Sequence, residues 1–245
     1  MAANQRDGET IGNDLALKIS VIIPTLNEAN TLPQTLAAVR KADDVEVIVV
    51  DGGSQDETVT IAKSFHAQVI AASPGRARQM NWGANAATGD MLLFLHADTR
   101  LPNQWDQWVQ PILNRPGVVA GAFKLAIEGE GPGLRLVEWG VGVRSRLFQM
   151  PYGDQAIFLT AKVFHELGGF PDLPIMEDFE LMGQLKQRGR VEIAPVAILT
   201  SGRRWQKLGV LRTTLINQLV IAGYFLGISP HKLVRWYRQL GKSRS

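Results

Sequence analysis

The first half of the chain predicts an α/β fold built on a mostly parallel central sheet. Three observations carry this. Short β-branched runs are apolar throughout, amphipathic segments separate them, and a polar cluster follows each run. Ile19–Ile23 is the first run, stopped by Pro24. Thr31 to Arg40 spaces Leu32, Leu36 and Val39 as a helix, with Asn30 as the expected cap. Val45–Val50 is the second strand and ends at Asp51-Gly52-Gly53. Ser54 to Glu57 has the capping-box pattern that opens the next helix. Gln68–Ala72 is a third strand, Gln79–Ala87 a helix, and Met91–Leu95 a fourth strand.

The second half mixes its signals. Val118–Ile127 reads as a strand, Gly133–Phe148 as a helix with a bend, and Gln155–Thr160 as a strand after Tyr152-Gly153-Asp154. Glu177–Arg188 is a helix opening with acids, and Val191–Thr200 a strand interrupted by Pro195. Lys207–Leu226 and Pro230–Leu240 are two further helices. The expected organisation is a tail over 1–17, one catalytic domain over 18–206, and a basic helical appendage over 207–245.

Composition excludes several classes. The 245 residues suffice for one sizeable α/β domain and a small appendage. No cysteine is present, so disulfides and thiolate metal sites are excluded. That suits a reducing cytoplasm. No run reaches the roughly 18 apolar residues a spanning helix needs. The net charge of +3 is unevenly placed: after Glu192 come nine Lys and Arg residues and no carboxylate. Such asymmetry points to an anionic partner, phosphates or a lipid surface. The apolar run Leu215–Ile228, broken by Asn217 and Gln218 and flanked by bases, suits a helix lying on an anionic membrane, or one packed on the domain or a second copy. Nucleic acid is not an expected partner, because the sheet edge is lined with acids.

In parallel sheets, ligands bind at the carboxyl ends of the strands. That rule selects residues 24–28, 51–54, 73–76 and 96–99. Asp98, after a buried strand, can hold a divalent cation, Mn²⁺ or Mg²⁺, against a diphosphate, or merely cap the segment that follows it. Asp51 can accept hydrogen bonds from a base or ribose, or serve its own turn. Arg76 and Arg78 lie near a helix start, where guanidinium forks match phosphate oxygens, the alternative being a solvated pair of charges. Glu177 and Asp178 either stabilise the helix they open or supply a general base. Arg203, Arg204 and Trp205 follow the last strand and suit a diphosphate and an acceptor, the alternative being a surface pair with the indole on the core.

Four segments together resemble the family 2 glycosyltransferases, which have the GT-A fold: Ser20-Val-Ile-Ile-Pro-Thr-Leu-Asn-Glu28, Glu46-Val-Ile-Val-Val-Asp-Gly-Gly-Ser54, Gly89-Asp-Met-Leu-Leu-Phe-Leu-His-Ala-Asp98 and Met176-Glu-Asp178. The resemblance covers roughly residues 18–205. It implies an inverting, metal-assisted transfer of a sugar from a nucleotide-sugar donor, usually a UDP-sugar, to an acceptor hydroxyl or carboxylate. Pro24, Thr25, Asn27, Glu28, Asp51, Arg76, Arg78 and Ala97 would line the nucleotide pocket. Asp98 would be the metal-binding acid of the Asp-x-Asp motif, and Asp178, with Glu177 beside it, the catalytic base. Asp154, Arg203, Arg204 and Trp205 would face the acceptor or diphosphate. The departure is His96, which stands where the first acid of Asp-x-Asp is expected. Competing expectations are a non-catalytic nucleotide-sugar-binding module at a membrane and a sugar nucleotidyltransferase, whose Gly-rich basic loop is missing after the first strand.

Overall fold

The computed structural model describes residues 17–241. The tail expected over 1–17 lies outside the described residues apart from Leu17, as do Lys242 and Arg244.

One eight-stranded sheet organises the chain. Its strands are β1 (Ile19–Thr25), β2 (Val45–Asp51), β3 (Gln68–Ala71), β4 (Met91–Phe94), β5 (Thr99–Arg100), β6 (Val118–Ile127), β7 (Phe158–Thr160) and β8 (Arg190–Thr200), in the spatial order β3-β2-β1-β4-β7-β6-β8-β5. The first four are parallel, and β6 pairs parallel with β8. β7 runs antiparallel to both neighbours, and β5 is antiparallel to β8.

Alternate residues of the buried strands feed two cores, as the two-residue period of a strand requires. Val21, Ile23, Val47, Val49 and Leu93 meet α1 (Leu32–Val39), α2 (Thr58–Ser64) and α4 (Asp106–Leu113) on one face. Ile22, Ile48, Val50, Leu92 and Phe94 meet α3 (Arg76–Ala86), α6 (Ala161–Glu166) and α7 (Glu177–Arg188) on the other. The strand order reverses between β1 and β4, with α1 and α3 on opposite faces. This is the geometry that opens a crevice at the carboxyl ends of those strands.

Several local expectations are corrected. Asn30 is not the cap of α1, which starts at Leu32 after Thr31. The capping box at Ser54 is not formed: α2 begins at Thr58, Ser54 Oγ donates to Asp51 Oδ1 (2.5 Å), and Asp56 takes the Thr58 amide (3.1 Å). The strand expected over 155–160 is reduced to β7, because Gly153–Gln155 forms a 3₁₀ turn. Pro195 bulges β8 instead of ending it. The register with β6 shifts there, and Lys124 Nζ donates to the Pro195 carbonyl at 2.6 Å. The helix expected from Lys207 is split into α8 (Arg203–Leu208) and α9 (Val210–Phe225) by Gly209, whose φ of 81° no helix continues.

The helix α5 (Pro132–Leu147) and helices α8, α9 and α10 (Pro230–Leu240) complete the chain. Trp205 packs with Leu125, Ile127, Leu134 and Val210, while Val220 and Leu233 close over Met176 at the start of α7. Among the described residues, no helix is long and apolar enough to cross a membrane.

Candidate active site

The loops after β1 and β2 are stitched into one wall. Asn27 turns the first loop with φ 56°, a conformation its short amide side chain tolerates. Its amide donates to Ser54 Oγ (2.8 Å), and its Oδ1 accepts from the Gln55 amide (2.8 Å). Asp51 is buried and accepts from the amides of Gly53 and Ser54 (2.9 Å each), from Ser54 Oγ and, at 3.3 Å, from Thr25 Oγ1. Its oxygens are thus committed to its own turn. Pro24 and Thr25 pair across to Val50 and Asp51. Ala97 contributes its carbonyl, which accepts from Thr35 Oγ1 at 2.9 Å, while its side chain lies in the core.

Sequence reading overlooked Gln79. This buried amide donates to the carbonyls of Thr25 and Val50 (2.8 Å each) and accepts from the Gly75 amide (3.2 Å). It locks α3 to both strand ends. The only signal for it was a polar residue at the helical spacing of Met80 and Gly83, which no motif marks.

Arg203 reaches across from α8 to two carboxylates at once. Its Nη2 donates to Glu28 Oε2 (3.0 Å) and Asp98 Oδ2 (3.2 Å). Burial pushes the Asp98 carboxyl up, the Arg203 hydrogen bond pulls it down, and neighbouring Glu28 raises it again, for a net rise. Two hard oxygen donors gathered on one positive charge are a donor set that suits Mg²⁺ or Mn²⁺, which share their coordination sphere with substrate phosphates. Among the described residues no group of three or more carboxylates or imidazoles is arranged to hold a metal. A cation here would therefore depend on the diphosphate for the rest of its ligands.

The opposite wall is carried by α3, α7 and the 3₁₀ turn. Arg76 pairs with Glu177 Oε1, and its Nη1 lies 3.5 Å from His96 Nε2. Burial opposes the charge on Arg76, but Glu177 and then Asp178 outweigh it and hold the guanidinium's proton more tightly than usual. Burial, reinforced by Arg76, pushes His96 down to about 3, so the imidazole is neutral at pH 7. Asp178 Oδ2 accepts from the Gly153 amide (2.7 Å) and Oδ1 from the Phe179 amide (2.8 Å). A Cβ on Gly153 would sit 3.1 Å from His96 Nε2 and 3.2 Å from Asp178 Oδ2, so a larger residue here would press on both side chains. Met176, just before these acids, is held at φ 72°, a strained conformation for a long side chain.

Two buried oxygens on this wall have no partner among the described residues, Glu177 Oε2 and Asp154 Oδ1. Burial pushes Asp154 up to about 6. Arg144 opposes the rise and Asp178 adds to it. Arg144, also overlooked in the sequence, stacks its guanidinium 3.5 Å over the Tyr152 ring.

Helical phase separates residues the sequence had grouped. Arg78, two positions past Arg76, points away and pairs with exposed Asp172 at 2.9 Å. Arg203, Arg204 and Trp205 diverge in the same way. Arg204 stacks 3.8 Å over Tyr237 of α10, and Trp205 is in the core, with its Nε1 buried. Only Arg203 joins Asp98.

Residues 20–167 match the glycosyl transferase family 2 profile. The chain belongs to that family, and the mixed sheet with its flanking helices is the GT-A fold. It is 42% identical over 91 residues to a PGL/p-HBAD biosynthesis glycosyltransferase of Mycobacterium tuberculosis, covering 34% of this chain and 36% of that one. It is 34% identical over 109 residues to the 4,4'-diaponeurosporenoate glycosyltransferase of Staphylococcus haemolyticus, covering 41% and 28%. These matches span only about a third of the curated relatives' length. In fold, it resembles residues 1–349 of Staphylococcus aureus TarS (TM-score 0.61, 17% identity, covering 80% of this chain and 64% of that one). It also resembles the M. tuberculosis glucosyl-3-phosphoglycerate synthase in complex with Mn²⁺ and UDP-glucose (TM-score 0.58, 21% identity, covering 88% and 84%).

Proposed function

We propose that residues 18–206 form a catalytic unit that transfers a sugar from a UDP-sugar to an acceptor oxygen with inversion, residues 207–245 being an appendage that meets an anionic surface. The observation that supports this best is that the end of β4 carries two charged clusters two residues apart in a family 2 sheet, Asp98 with Arg203 and His96 beside Arg76, which in turn pairs with Glu177. Two similar solved structures hold UDP-GlcNAc or UDP-glucose, the second with Mn²⁺.

The donor's uridine would lie along the wall of Thr25, Asn27 and Asp51. Because Asp51's oxygens are engaged in their turn, its part is to fix the shape of that wall, with backbone groups exposed to the base. The diphosphate would sit by Asp98 and Arg203. A divalent cation, Mn²⁺ or Mg²⁺, held by Asp98 with Glu28 nearby, would supply charge neutralisation on the leaving diphosphate. Asp178 takes the proton of the acceptor as its oxygen attacks C1. The bond from C1 to the diphosphate breaks on the opposite face, and its electron pair leaves with the nucleotide. Glu177, enclosed and paired with Arg76, acts as a positioning residue that holds the guanidinium. Neutral His96 adds no charge beside it. Asp154 and the free oxygen of Glu177 are acceptors suited to hydroxyl donors of a sugar.

Calorimetric titration with UDP, GDP, CDP and TDP, with and without Mn²⁺, tests the donor assignment. Selective, Mn²⁺-dependent UDP binding is expected. Equal binding of none of the four by folded protein removes the proposal.

A further inference from the structure

The helix α9 carries large apolar side chains on both sides, interrupted on the exposed side by Arg212 and Gln218, yet only one side is covered. Thr213, Ile216, Val220 and Gly223 face the protein. On the other side, Leu211, Leu215, Leu219, Phe225 and Leu226 are 88%, 60%, 47%, 69% and 81% exposed. This stripe runs about 22 Å along the helix. An exposed apolar strip of this length marks a contact surface. Beside it α5 packs where Gly133 meets Val210, and exposes Leu136 and Trp139, both 67%.

Charge decides what covers the stripe. No carboxylate follows Glu192, and Lys207 of α8, Arg212 of α9 and Lys232, Arg235 and Arg238 of α10 are exposed on the same appendage. A second copy docked through the same stripe would bring these like charges together. Anionic lipid headgroups would complement them, and the acyl region would take the leucines.

The stripe also leads to the site. Phe225 at its end meets Phe179, the residue after Asp178, edge to face at 5.4 Å, and Phe179 meets Tyr152 at 6.3 Å. Tyr224 donates to Glu180 of α7, tying α9 to the same helix. We propose that the α9 stripe docks on an anionic bilayer and that the acceptor is an amphiphile held there. Its reacting oxygen reaches Asp178 along the Phe225–Phe179–Tyr152 path. Docking stands on the surface alone, whereas the acceptor class rests on the transferase reading.

The test is flotation of the full chain with phosphatidylcholine vesicles, with and without phosphatidylglycerol. Binding to the mixed vesicles is expected, with at least a ~100-fold loss in Leu211→Asp/Leu215→Asp/Leu219→Asp. These side chains are exposed, so folding and UDP binding stay as in wild type. The chain has no cysteine, so a nitroxide on Leu215→Cys is unique. On vesicles it should be shielded from a water-soluble relaxant, while one on exposed Lys63→Cys of α2 stays accessible. Wild-type UDP binding without vesicle binding overturns the inference and spares the function. A dimer that the aspartates dissociate, in protein that ignores vesicles, assigns the stripe to a second copy and overturns it equally. Vesicle binding without nucleotide binding keeps the docking and removes the acceptor class with the transferase reading.

Discussion

On the wall formed by the loops after β1 and β2, Asp51 places its two oxygens in a closed set of hydrogen bonds with Gly53, Ser54 and Thr25. On the facing wall, Glu177 and Asp154 each keep a buried oxygen without a hydrogen-bond partner among the described residues, and Met176 is held at positive φ beside them. Both walls are rich in carboxylates, but they differ in what remains available. The first is finished before any ligand arrives, and its carboxylate shapes a surface. The second carries desolvated acceptors and backbone strain, the features expected where a ligand completes the structure. The lesson is that a strand-end acid is assigned by where its lone pairs go, not by its motif.

Breaking the open wall should have the largest effect on stability. Arg76→Met leaves Glu177 buried without its counter-charge, at an expected cost near the lower end of about 3–5 kcal/mol in urea unfolding because Arg76 itself is partly exposed. Adding Glu177→Met should restore most of it, and failure of that rescue would mean the pair is not what Arg76 supports. Breaking the closed wall should cost less. Asp51→Ala strands the Gly53 and Ser54 amides, a loss of about 1–3 kcal/mol by the same assay, and loosens the loop that Asn27 shares. An unchanged unfolding midpoint would show that the turn does not need its carboxylate.

Asp154 sharpens the contrast by pH. Its carboxyl titrates at about 6 in the folded chain against 3.8 ordinarily, so between those values the folded state holds a proton the unfolded state has released. Wild-type stability therefore falls as pH rises through that window. Asp154→Asn removes the charged form and should be more stable than wild type at pH 7 by about 1–2 kcal/mol, with the gain shrinking toward pH 4. Parallel stability curves for the two proteins would refute the assignment.

The sheet's first half was legible because β1, β2 and β4 are apolar runs covered on both faces, with their polar residues confined to the strand ends. The two-residue β5 and the short α4 and α6 carry too little periodicity to be read, and the strand read over 155–160 survives only as β7 because Gly153–Gln155 turns. Pro195 reads as an interruption, but at this exposed point on β8 the ladder absorbs it as a bulge. Side-chain direction was the least legible. Arg76 and Arg78, or Arg203 and Arg204, look equivalent as adjacent cations, and only the phase of α3 and α8 sends one of each pair into the crevice. Gln79 and Arg144 act through helices that no motif marks, and Ser54 serves Asp51's turn instead of capping a helix.

The central claim is that Asp178 takes the acceptor's proton beside a bound nucleotide-sugar. UDP release from a UDP-sugar, followed in the presence of Mn²⁺ for wild type and Asp178→Asn with calorimetric UDP affinity in parallel, tests it most directly. The account predicts a rate lower by about 10²–10⁴-fold with UDP affinity nearly unchanged. A variant that releases UDP at the wild-type rate would contradict it.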